Sequence, residues 1–83
     1  MMTNRNIENR EPVIGVQWHE GVPEPVTIRF EGCKRRVLGI ADRWHDERAK
    51  YFMARAEDGC RYLLRFDLET LEWSVLKREL LDA

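Results

Sequence analysis

The chain has 83 residues, 43% hydrophobic and 35% charged, with 14 basic against 15 acidic side chains and a net charge of −1. That is apolar material for one small core and too little for two, and near-neutrality argues against a protein that coats a polyanion. No apolar run reaches the length of a membrane-spanning helix, and the polar start Met1-Met2-Thr3-Asn4-Arg5-Asn6 contains no secretory core, so the expected setting is cytoplasmic.

Charge is uneven along the chain: net −2 over residues 1–25, +4 over 26–55 and −3 over 56–83. Residues 1–10 hold one apolar side chain beyond the two methionines, Ile7, and are expected to form a disordered tail. Residues 11–25, EPVIGVQWHEGVPEP, mix apolar groups with three prolines and two glycines, which predicts an irregular or extended lead-in. A single β domain is then expected over residues 26–83.

From residue 26 the apolar period is two. Val26, Ile28 and Phe30 alternate with Thr27 and Arg29, the pattern of a half-buried strand, and Glu31-Gly32 offers a tight turn. Cys33–Trp44 is rich in branched residues and contains Gly39, a predicted bulge or bend. After the charged break His45–Lys50, the segment YFMARA reads as a further strand. Asp58-Gly59 predicts a two-residue hairpin turn, with Arg55/Tyr62, Met53/Leu64 and Tyr51/Phe66 on one face and Phe52/Arg65, Ala54/Leu63 and Ala56/Arg61 on the other. A loop at Glu69–Glu72 would set Leu68 opposite Trp73 and Phe66 opposite Val75. The end, KRELLDA, either prolongs the last strand or forms a short C-terminal helix, and its Lys, Arg, Glu, Leu and Ala, all good helix formers, tip the reading to the helix.

These elements predict an all-β fold: an antiparallel meander of about five strands curled into a small, partly open barrel. The expected core is Val26, Ile28, Phe30, Val37, Ile40, Tyr51, Met53, Tyr62, Leu64, Phe66, Leu68, Trp73 and Val75.

The run from Trp44 through YFMARAEDGCRYLLRFDLETLEWSV carries an aromatic strand (Tyr51-Phe52), Asp58-Gly59, a Tyr-x-Leu-x-x-Asp strand (Tyr62, Leu64, Asp67) and then Trp73. In this it resembles small all-β domains of unknown function that occur alone in bacteria. It is also similar to the C-terminal segment of catalytically inactive Y-family polymerase-like proteins of mutagenic repair. The resemblance covers roughly a third of the chain, and His45 and Asp46 stand where a second tryptophan would be expected. What it implies is a fold; it brings no catalytic residues.

The chemistry-bearing residues are sparse. Cys33 and Cys60 read as reduced thiols, because a disulfide-stapled domain carries more cysteines at closer spacing. His19, Cys33, His45 and Cys60 lie 14, 12 and 15 residues apart, without the local pair that a zinc site needs. Ser74 is the sole serine and sits in no nucleophile elbow. Neither a catalytic residue, a metal ligand nor a cofactor site is expected, and the chain reads as a non-enzyme.

One pattern points to binding. If Ile28 and Phe30 face inward, then Arg29, Lys34 and Arg36 face outward, and the second hairpin adds Phe52, Arg61 and Arg65 to that side. Guanidinium groups around an exposed ring suit single-stranded nucleic acid. Arginine beside an apolar strip of Phe52, Leu63 and Leu76 equally suits a protein partner. The sequence favours the protein-binding or adaptor reading, with single-stranded nucleic acid as the alternative, because acidic residues dilute the field.

Overall fold

The computed structural model describes residues 11–81; the expected disordered tail at 1–10 lies outside them. Six strands run β1 (Val13–His19), β2 (Val22–Phe30), β3 (Cys33–His45), β4 (Ala49–Ala56), β5 (Cys60–Asp67) and β6 (Trp73–Leu80). They form one open antiparallel sheet in sequence order, with β1 and β6 as its two edges. The expected all-β meander is therefore present, with six strands rather than five.

The additional strand comes from the stretch read as an irregular lead-in. Glu20-Gly21 is a two-residue turn with positive φ at both positions (54° and 81°), the geometry whose twist matches a hairpin. It pairs His19 with Val22, so Val22 and Glu24 direct their amides to β1 while Pro23 and Pro25 face away from it. On that side β2 meets β3 only from Thr27 to Phe30, opposite Cys33–Arg36, so the prolines' missing donors break no ladder. Val26 is the extra residue of a bulge between Pro25 and Thr27, which turns it to 36% exposure instead of into the core.

The 13-residue β3 belongs to both halves of the sheet. It leaves β2 after Arg36 and joins β4 from Val37, with bulges on either side of Gly39–Ile40, where the sequence placed a bend. The sheet folds about this point and brings its inner faces together: the Phe30 and Tyr62 rings meet edge to face at 6.3 Å. Ile28 joins Phe52, Ala54, Ala56, Cys60, Tyr62, Leu64 and Phe66 in one buried cluster, flanked by Ile14, Phe30, Val37, Ile40, Trp73 and Val75.

The β4–β5 register is one residue away from expectation. Phe52 opposes Leu64, Ala54 opposes Tyr62 and Arg55 opposes Arg61, so the connecting loop has three residues, Glu57–Gly59, and only Gly59 takes positive φ (85°). Because side chains alternate, a shift of one reverses every face of β4. Phe52 is buried, while Tyr51 and Met53, expected in the core, lie on the outer face. The physical reason lies at the loop end: the two-residue register would have placed Arg55 and Glu57 inward, whereas the observed one places Ala54 and Ala56 there. Asp58 adds to this by accepting the Cys60 amide at 3.0 Å.

The β5–β6 register is displaced by two, which preserves the faces. Phe66 opposes Trp73 and Leu64 opposes Val75, both inward as expected, and Leu68 moves into the turn at 40% exposure. Asp67 organises that turn by accepting the amides of Glu69 and Thr70, each at 2.8 Å. The expected short helix is absent from the described residues: Trp73–Leu80 is strand, because β5 offers a ladder partner that outweighs helix propensity.

Candidate binding groove and basic face

Strand alternation places Arg29, Lys34, Arg36, Arg61 and Arg65 on the outer side of the sheet, as the sequence suggested. Arg29 faces Lys34 directly, and Arg36 follows two residues on. Arg61 and Arg65 project from β5 opposite the buried Tyr62, Leu64 and Phe66. The aromatic expected among them is a correction: Phe52 is 2% exposed and points into the core against Trp73, at a ring separation of 5.6 Å. Its place is taken by Tyr51, opposite Arg65, which stacks on Trp44 with ring centroids 5.5 Å apart and planes 6° from parallel.

This outer face is largely neutralised by its own carboxylates. Arg61 binds Glu79 at 3.0 Å, Arg65 binds Asp67 at 3.2 Å, and Arg36 lies 3.7 Å from Glu57. Hydrogen bonding with Tyr51, followed by that with Asp67, raises the Arg65 pKa. The Asp67 carboxyl is held below its usual range by the amides of Thr70 and Glu69. Asp46 is lowered in the same way, first by the amides of Arg48 and Ala49 and then by Tyr51. Arg29, Lys34 and Arg55 form no ion pair among the described residues.

A second polar group is internal. Arg35, 7% exposed, donates through Nη1 to the carbonyls of Phe30 and Cys33 and sets its Nε 3.1 Å from Asp58 Oδ2. The Tyr62 hydroxyl donates to that same oxygen at 2.7 Å, and the guanidinium groups of Arg35 and Arg78 lie over the Tyr62 ring at 5.6 and 5.8 Å. Arg78 also reaches Glu31 at 3.1 Å, tying β6 to the β2–β3 turn. These bonds saturate one another, so the cluster holds the sheet's fold rather than presenting a site.

The inner side carries the groove. A cleft of about 400 Å³ lies between the β1–β2 hairpin and the β5–β6 turn. Ile14, Val16 and Trp18 form one wall and Phe66, Leu71 and Trp73 the other, with Lys50 its sole charged lining residue. Trp18 and Leu71 are 64% and 65% exposed, which is unusual for such large apolar side chains. Ile14 and Trp73 also line a neighbouring cleft that continues toward Glu11 and Glu72. Lys50 forms no ion pair among the described residues. No sequence motif marked this groove; the signal available was Trp18 and Leu71, apolar residues without an assigned partner.

Cys33 is exposed and Cys60 buried, and both are free. Among the described residues, no three His, Cys, Asp or Glu side chains gather as metal ligands would. Among the described residues no helix is long and apolar enough to cross a membrane. No protein-family model, curated protein or solved structure matches this chain.

Proposed function

We propose that this chain is a non-enzymatic protein-binding module that holds an extended apolar segment of its partner in the groove between β1 and the β5–β6 turn. The observation that carries this reading is the convergence of Trp18, Leu71 and Trp73 on one concave, nearly uncharged surface. Apolar area gathered in a groove is where association removes most hydrocarbon from water, about 25 cal/mol per Å². β1 is a sheet edge, so an extended segment beside it gains main-chain hydrogen bonds as well as side-chain burial. The unpaired ammonium of Lys50 favours a segment that carries a carboxylate among its apolar residues.

The test is selection of short random peptides by display, followed by titration of the recovered peptides against Trp18→Ser and Leu71→Ser variants. Apolar consensus peptides should bind the unaltered chain and lose about tenfold or more in affinity to either variant. Recovery of no consensus, or binding by both variants as tight as by the unaltered chain, refutes the reading.

A second reading, single-stranded nucleic acid on the outer face, is favoured by the Trp44–Tyr51 stack beside Arg65. Three ion pairs on that face work against it, since a phosphate must displace a carboxylate already bonded to the arginine. Titration of a labelled single strand at low salt separates the two.

A further inference from the structure

We infer that two copies of this chain join through their β6 strands, continuing the antiparallel sheet from one protomer into the other. The inference is independent of the groove, which lies at the Trp73 end of β6, whereas the pairing uses the end toward Leu80.

The backbone is available. Among the described residues β6 is hydrogen-bonded on one side only, to β5. The Leu81 amide donates to Gly59 O at 2.9 Å, so in an antiparallel ladder the alternate residues Leu80 and Arg78 aim their N–H and C=O groups at the open edge. Apolar side chains accompany them: Leu76, the extra residue of the bulge between Val75 and Lys77, is 51% exposed and Leu80 is 71% exposed.

The side chains select one register. In a two-fold antiparallel pair one residue opposes its own copy, and its neighbours pair symmetrically around it. Centred on Arg78, Lys77 opposes Glu79 of the second copy, twice. Centred on Lys77, Val75 would face Glu79 and Leu76 would face Arg78. Centred on Glu79, Lys77 would face Leu81 and Arg78 would face Leu80. The Arg78 register alone among these three matches opposite charges with each other.

Its drawback is the arginine on the axis, and the fold answers it. Each Arg78 is drawn back into its own protomer by Glu31 at 3.1 Å, by Asp58 at 3.9 Å and by the Tyr62 ring. Lys77 forms no ion pair among the described residues. A lysine on an edge strand ordinarily discourages pairing. Here the second copy brings Glu79, already held through one oxygen at 3.0 Å by its own Arg61, and the second oxygen meets the lysine, converting a barrier against other strands into selectivity for this one.

Sedimentation equilibrium over a concentration series tests the inference on four chains. The unaltered chain should show a monomer–dimer equilibrium. Lys77→Glu places glutamate against Glu79 at both symmetric positions and should weaken association about tenfold. Adding Glu79→Lys should restore most of that loss by reversing the pair. Leu80→Pro removes an amide that faces the open edge and no bond of the β5–β6 ladder, so it should abolish the dimer while circular dichroism shows the sheet retained. A unaltered chain that stays monomeric at every concentration overturns the inference. So does a dimer indifferent to Lys77→Glu and Leu80→Pro, which would place the contact elsewhere, the apolar groove included.

Discussion

Tyr62 and Asp58 share a 2.7 Å hydrogen bond at the point where the two halves of the sheet meet, and the carboxylate oxygen that accepts it also faces Arg35 Nε at 3.1 Å. Tyr62 is fully buried, so its hydroxyl has no alternative in water. Burial first, and then the Asp58 carboxylate, push the Tyr62 pKa up to about 12 from 10.0. A group whose folded pKa is raised stabilises the fold below its unfolded value and loses that contribution as pH rises through the folded one. Stability should therefore fall by about 2 kcal/mol between pH 10 and 12, and Tyr62→Phe should flatten that part of the curve. Denaturant titrations of both chains across that window check it.

Asp58 gives the opposite sign at low pH. Burial opposes its ionisation, but bonds from Tyr62 and the Cys60 amide, with Arg35 and Arg78 nearby, hold its pKa below 3.8. Its stabilisation is complete above the unfolded value and lost as pH falls through the folded one. Asp58→Asn should cost about 3 kcal/mol at neutral pH, because it leaves the buried Arg35 guanidinium uncompensated. That cost should shrink as the unaltered chain is acidified. A neutral-pH melting temperature unmoved by Asp58→Asn would contradict the cluster as described.

The one-residue register of β4 separates adjacent aromatic residues. Phe52→Ala should cost about 3–4 kcal/mol through lost burial and the cavity left against Trp73 and Leu64. Tyr51→Ala, on the outer face, should cost about 1 kcal/mol, mainly through the lost Trp44 stack. The reverse ranking in chemical denaturation would restore the register in which Phe52 faces outward.

Two glycines give a comparison of conformation against space. Gly59 has φ 85° with open space around it, so Gly59→Ala should cost about 1–2 kcal/mol from backbone strain alone. A Cβ on Gly39 would meet only Arg55 Nη1, at 3.9 Å, and its φ is ordinary, so Gly39→Ala should be near neutral. Thermal melts of the two variants, recorded side by side, decide it.

Binding in the groove should also be distinguishable by salt. An apolar segment against Trp18 and Leu71 releases few counterions, so its affinity should change little as salt rises. Three phosphates on the outer face would instead give a slope near −2 in log affinity against log salt. A steep negative slope that survives Trp18→Ser would move the function to the outer face.

The sequence alone determined the elements that depend on near neighbours. Alternation from Val26 to Phe30, the Glu31-Gly32 turn and the bend at Gly39 are local: each rests on a side-chain period or a φ value that a few residues dictate. The outward set Arg29, Lys34, Arg36, Arg61 and Arg65 was legible for the same reason. What the tertiary structure decided was which of two adjacent registers β4 would take, and with it whether Phe52 or Tyr51 met water. Asp-Gly permits a two-residue or a three-residue loop at similar local cost, and the choice falls to burial: one register places Arg55 and Glu57 inward, the other Ala54 and Ala56. Likewise Pro23 and Pro25 read locally as breakers, and they sit in a strand because β3 has already turned away to β4 and asks nothing of their missing amides. The groove was legible in no single segment, since Trp18 and Leu71 share a surface only after the sheet folds about β3 and brings its first hairpin over its last turn.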